Sequence, residues 1–206
     1  MNVPCKICEK KRARRYCPGV GGDICPACCG AGRENTIDCP SGCQYLQEAR
    51  THERPIEISQ DQLPNRDIRV TDEFIEKQEP LIVWLALALV KAMEEERAVD
   101  GDAGEALEAL IKTYRTLQSG LIYETRSPNP YAAAIQQHLK IAVENLSKRM
   151  AESSAIHSLR DADVLGVLVF LQRLQLANNN GRPRGRMFHD FLRQAFPERE
   201  KAALTI

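Results

Sequence analysis

The residues best suited to chemistry in this sequence are its eight cysteines, which all lie within the first 43 positions. They are Cys5, Cys8, Cys17, Cys25, Cys28, Cys29, Cys39 and Cys43. Three pairs are separated by only two or three residues, a spacing at which a tight turn directs two thiols toward one tetrahedral zinc ion. Eight thiols grouped in this way predict two zinc ions, each with four cysteine ligands. Since an all-thiolate site keeps no open position for water, the sites are expected to be structural and not catalytic.

Disulfides, a redox-active cysteine pair or an iron–sulfur cluster are less favoured alternatives for the same cysteines. The first residues lack the apolar core of a secretory signal, so we expect a cytoplasmic protein whose thiols stay reduced. The longest apolar run, residues 81–90, covers about half a bilayer span, so no membrane insertion is expected. The net charge is zero, so bulk charge does not select nucleic acid or membrane as a partner.

The order of the cysteines resembles that of a B-box zinc finger over about residues 5–50. The matching features are Cys5, Cys8, "YC" at 16–17, "DIC" at 23–25, Cys28, the pair at 39 and 43, and "YLQEA" at 45–49. The resemblance implies a cross-brace with two zinc ions. It assigns Cys5, Cys8, Cys25 and Cys28 to the first zinc, and Cys17, Cys39 and Cys43 to the second.

The sequence departs from the B-box pattern at several ligand positions. Cysteines stand at 8, 39 and 43, where histidine is common, and Val20 occupies the place of an acidic ligand, so the second site lacks one ligand. We expect Cys29 to complete it, which would explain the adjacent cysteines, because neighbouring side chains in an extended chain point apart. Asp23, Asp38 and His52 are the alternative ligands, and Cys28 and Cys29 could also exchange roles.

A basic segment at residues 10–15 lies between Cys8 and Cys17. One interpretation is a surface that binds phosphate or RNA. We favour the other interpretation, a solvated loop that offsets zinc–thiolate charge, because each zinc with four thiolates carries about −2. A second basic segment, at 182–186, lies in a sequence rich in asparagine and glycine that predicts a flexible surface turn.

The rest of the chain predicts helices. Residues 51–72 contain two prolines and no sustained period, and we interpret them as a linker between a module at 1–50 and a domain at 73–206. In that domain a short helix capped by Thr71 precedes five amphipathic or apolar helices, and Asp102 with Glu105 resembles a capping box. The predicted fold is mainly α, with a small N-terminal double-zinc module followed by an α-helical bundle domain.

No catalytic constellation is visible in the sequence. His138, His157 and His189 have no thiol or paired carboxylate at a spacing typical of a ligand set or a triad. We therefore predict a non-enzymatic zinc-binding protein that acts through protein–protein interaction or self-association, as an adaptor or assembly subunit. The loop at 119–130, which carries apolar residues, either packs on its own core or forms a binding edge. The alternative function is a nucleic-acid-binding accessory factor that uses the segments 10–15 and 182–186.

Overall fold

The computed structural model describes residues 3–53, 58–153 and 159–197. His157, one of the histidines considered above, lies outside these ranges. The N-terminal part contains an antiparallel hairpin of two short strands, β1 and β2, followed by two short helices, α1 and α2. Their bounds are Arg15–Cys17 for β1, Gly22–Ile24 for β2, Pro26–Gly32 for α1 and Gln44–Arg50 for α2.

A helical region follows a single turn of 3-10 helix at Gln60–Gln62. Its helices are α3 (Asp72–Lys77), α4 (Glu79–Glu95), α5 (Asp100–Gln118), α6 (Pro130–Ser153), α7 (Asp161–Asn178) and α8 (Met187–Ala195). The predicted fold class is therefore confirmed, because a cysteine-rich N-terminal part with one two-stranded sheet precedes a bundle of helices.

The helix ends follow from local chemistry. The Thr71 hydroxyl accepts a hydrogen bond from the Phe74 amide at 3.2 Å, as predicted for the cap of α3. The prediction that Asp102 caps a helix and pairs with Glu105 is wrong, because the capping box lies three residues earlier in the chain. Helix α5 already begins at Asp100, and the Asp102 carboxylate reaches back to the Val99 amide at 2.8 Å.

The bundle has one apolar core formed by α4 to α8. Helix α7 is enclosed on most sides, since every residue from Val164 to Val169 is buried, and it packs against α5, α4 and α8. Gly166 permits the ring of Phe74 in α3 to approach, because a Cβ atom at this glycine would lie 2.4 Å from the ring. Within α8, Phe188 and Leu192 are fully buried against the bundle.

The described part of the segment 51–72 is held against the bundle by polar contacts. Arg115 in α5 donates to the Asn65 side chain at 2.8 Å and to the Asp67 carboxylate at 2.6 Å. Arg173 in α7 donates to the backbone oxygens of Asn65 and Ile68 at 2.9 and 3.0 Å. Among the described residues, no helix is long and apolar enough to cross a membrane.

Candidate metal centre

Backbone turns bring Cys5, Cys8, Cys25 and Cys28 together. The turn at 5–9 closes through a hydrogen bond from the Glu9 amide to the Cys5 oxygen at 2.8 Å, with Glu9 in the left-handed region. Pro26 supplies the fixed φ of the first helical position of α1, and Cys25 becomes the N-cap of this helix. The Cys25 thiol accepts a hydrogen bond from the Cys28 amide at 3.4 Å.

The geometry of these four thiols fits a zinc ion. All four sulfur atoms lie within 4.8 Å of one another, and Cys8 Sγ is 4.0 Å from Cys25 Sγ. A tetrahedral zinc with Zn–S bonds of about 2.3 Å requires sulfur atoms about 3.8 Å apart. Among the described residues, this is the one group whose ligand atoms meet that proximity.

The electrostatics of this group also favour a cation. Burial opposes ionisation of Cys5, but hydrogen bonds from the backbone of Cys8, Cys25 and Ile7 outweigh it and lower the pKa of Cys5 to about 6. Hydrogen bonding to Cys25, together with burial and the other two thiols, raises the pKa of Cys28 to about 12. The four thiols therefore resist simultaneous deprotonation unless a cation neutralises the resulting thiolates.

The other four cysteines, Cys17, Cys29, Cys39 and Cys43, line a single cavity. Their sulfur atoms do not reach the mutual spacing of the first group. The apolar side chains of Ile24, Ile37 and Leu46 complete much of the cavity wall. Arg15 donates to Cys29 Sγ at 3.7 Å, and its guanidinium stacks on the ring of Tyr45 at 4.3 Å.

The adjacent thiols of Cys28 and Cys29 face different groups. The prediction that they lie in an extended stretch is wrong, because both lie in α1, where successive side chains are about 100° apart around the helix axis. Cys28 belongs to the first group, whereas Cys29 lines the cavity. The alternative ligands Asp23, Asp38 and His52 have exposed side chains and do not line that cavity.

The most buried carboxylate next to the cysteines is one that sequence reasoning missed. Glu34 is fully buried and has a φ of 52°, in the left-handed region. Its carboxylate accepts hydrogen bonds from Arg50 at 2.8 Å, Asn180 at 2.8 Å and Arg182 at 3.0 Å. No motif marks this residue, since its partners come from two remote parts of the chain.

The two basic segments have different surroundings. Arg182 pairs with Glu34 and, at 2.6 Å, with Glu53, while Arg186 pairs with Asp38. The segment 178–186 forms a surface turn, as predicted, and the Arg184 side chain is exposed, but Arg182 and Arg186 bind carboxylates of the cysteine-rich part. In the segment 10–15, by contrast, the side chains of Lys10, Lys11, Arg12 and Arg14 are exposed.

Fold and site together define a mainly helical protein with an N-terminal four-cysteine group able to hold a zinc ion. No family model, curated protein or solved structure matches the chain.

Proposed function

We propose that the protein is a non-enzymatic zinc-binding protein that carries two structural zinc ions and acts through protein–protein interaction, as an adaptor or assembly subunit. The observation that carries the proposal is the group of Cys5, Cys8, Cys25 and Cys28, whose sulfur atoms lie within 4.8 Å of one another. Four thiolates fill a tetrahedral zinc, so this site leaves no position for a substrate or a reactive water.

Three features support a second zinc ion. Cys17, Cys29, Cys39 and Cys43 line one cavity, and none of them is engaged in a disulfide. The partition of ligands is also the one implied by the B-box resemblance, with Cys29 as the missing fourth ligand.

The interaction role is supported by apolar side chains that the bundle leaves uncovered. Leu121, Ile122 and Tyr123 are 62%, 97% and 66% exposed, respectively, in the loop between α5 and α6. This loop does not pack its apolar residues on its own core, which was one of the two expectations for it. Protein–protein contact at this edge would remove apolar surface from water.

The alternative function, nucleic-acid binding, is supported by only one of the two basic segments, residues 10–15. Lys10, Lys11, Arg12 and Arg14 are exposed near the exposed ring of Tyr16, a combination suited to phosphates and a stacked base. The segment 182–186 contributes little to this function, since Arg182 and Arg186 already bind carboxylates.

Metal analysis of the native protein tests the proposal, with Cys8→Ser and Cys43→Ser as paired variants. We expect about two zinc ions per native chain and about one in each variant. A native protein without zinc would overturn the proposal. Binding of single-stranded RNA that survives physiological salt, and that is lost in Arg12→Ala with Arg14→Ala, would favour the alternative function.

A further inference from the structure

Glu34 connects the cavity cysteines directly to the loop between α7 and α8. Glu34 begins the short stretch of chain that leads to Cys39, one of the residues that line the cavity. The backbone oxygen of Glu34 accepts a hydrogen bond from the Arg184 amide at 2.8 Å. Its carboxylate is held by Asn180 and Arg182 of the same loop.

A second connection lies directly before Cys39. Asp38 forms an ion pair with Arg186, and Arg186 also donates to the backbone oxygens of Ala98 and Arg97 at 3.2 Å each. The carboxylates of Glu34 and Asp38, at the two ends of a short turn, therefore both bind the loop at 178–186. This turn ends at a cavity thiol.

Few backbone hydrogen bonds and apolar contacts hold the turn at 33–38 in its conformation. The Ile37 amide bonds to the Gly32 oxygen at 2.9 Å, and the Ile37 side chain packs closely on Gly19 and Gly32. Apart from cysteines, the buried apolar core of this part of the protein consists of Ile24, Ile37 and Leu46. So small a core cannot fix the turn by itself, and metal binding at Cys39 would supply the remaining constraint.

We infer that zinc binding by Cys17, Cys29, Cys39 and Cys43 is coupled to docking of the loop at 178–186, with Glu34 as the connecting residue. The inference rests on the second zinc ion of the proposed function and adds the regulation of that site. Coupling is reciprocal, so the docked loop raises the zinc affinity of the cavity site, and zinc loss there releases the loop. Among the described residues, no hydrogen bond or ion pair joins the first cysteine group to this loop, so the first zinc site keeps its metal.

The loop offers a matched pair of variants for the test. Arg182→Ala removes a cation that binds Glu34, whereas Arg184→Ala removes an exposed side chain two positions away and keeps the backbone bond to Glu34. Zinc release to a chromogenic chelator is followed in both variants and in the native protein. We expect one of two zinc ions to leave about tenfold faster in Arg182→Ala, and Arg184→Ala to match the native protein.

Amide hydrogen exchange tests the reverse direction of the coupling in the full chain. The Arg184 amide is bonded to Glu34 across the contact, whereas the His189 amide is bonded to Asp100 inside the bundle at 3.1 Å. In Cys43→Ser, which removes one cavity ligand, exchange at Arg184 should rise about tenfold or more while exchange at His189 stays unchanged.

The outcomes separate the inference from the function on which it rests. A native protein with one zinc ion would overturn both the second site and the coupling. Two zinc ions with equal release rates in Arg182→Ala and Arg184→Ala would overturn the coupling alone. Faster release of both ions in Arg182→Ala, or loss of both in Cys43→Ser, would contradict the selectivity for the cavity site.

Discussion

Arg50, at the end of α2, forms an ion pair with Asp190 in α8, although 140 residues separate them in the chain. Burial would raise the pKa of Asp190, but hydrogen bonds from His189, Arg50 and Ser41 outweigh it and lower the pKa to about 2. The other side of the Arg50 guanidinium binds Glu34. The cysteine-rich part and the helical bundle are thus joined by partly buried charges, and removal of one charge should affect both.

Glu34→Ala should destabilise the protein by about 3 kcal/mol, because it leaves Arg50 and Arg182 partly buried without their shared carboxylate. Denaturant unfolding in a fixed concentration of free zinc measures the loss. Glu48→Ala, which removes an exposed carboxylate from α2, is the control and should change the unfolding free energy by less than about 0.5 kcal/mol. Equal effects of the two substitutions would show that burial of Glu34 does not matter.

Asp100 should make the stability depend on pH in an unusual direction. Burial raises its pKa from 3.8 to about 6, although the amides of Phe188 and His189 and the charge of His189 oppose the increase. The folded state then binds more protons than the unfolded state between these values, so the contribution of Asp100 to stability falls as pH rises through about 6.

The comparison of native protein with Asp100→Asn isolates this effect. Between pH 5 and pH 7 the native protein should lose about 1 kcal/mol more unfolding free energy than the variant, which lacks the titrating carboxyl. Denaturant titrations at the two pH values measure the difference, and all eight cysteines are the same in both proteins. Parallel pH dependences would contradict the raised pKa.

Cys28→Ser and Cys29→Ser should each remove one zinc ion, but a different one. Cys28 belongs to the first group and Cys29 to the cavity group, although they are neighbours in α1. Adding Cys8→Ser to Cys28→Ser should therefore cause no further loss, whereas adding it to Cys29→Ser should leave no zinc. Metal content of the two double variants measures this, and an equal content in both would refute the partition.

Ile122→Asp should weaken protein–protein association and leave folding intact, because the Ile122 side chain is 97% exposed. Light scattering over a range of concentrations measures self-association, and thermal unfolding checks the fold. Lys112→Asp on the exposed face of the preceding helix is a control that also adds negative charge. A native protein that is monomeric at all concentrations would exclude self-association through this loop.

The sequence was sufficient to predict the helical bundle and the first cysteine group, since both follow from local rules. Apolar periodicity defines helices, and the C-x2-C spacing sets the ligand pairs at 5/8 and 25/28. The role of Thr71 as a cap also depends only on its neighbours. The start of α5 lies three residues before the position that the sequence predicts, because Asp102 serves the helix from its third position and not from its cap.

The contact between the two parts of the protein could not be predicted from local patterns. Glu34 and Asp38 look like ordinary loop carboxylates, and Arg182 and Arg186 like a solvated basic turn. Their pairing depends on the position of the loop between α7 and α8 relative to the cysteines. The packing of the bundle determines this position. The local sequence therefore predicts a solvated basic turn, whereas two of its three arginines are paired with carboxylates.

The most direct test of zinc coordination by cysteine is X-ray absorption at the zinc edge of the native protein purified without added metal. We predict a first shell of four sulfur atoms at about 2.3 Å, with no nitrogen or oxygen ligand. Absence of zinc, or a shell that includes oxygen or nitrogen, would contradict an all-cysteine structural centre.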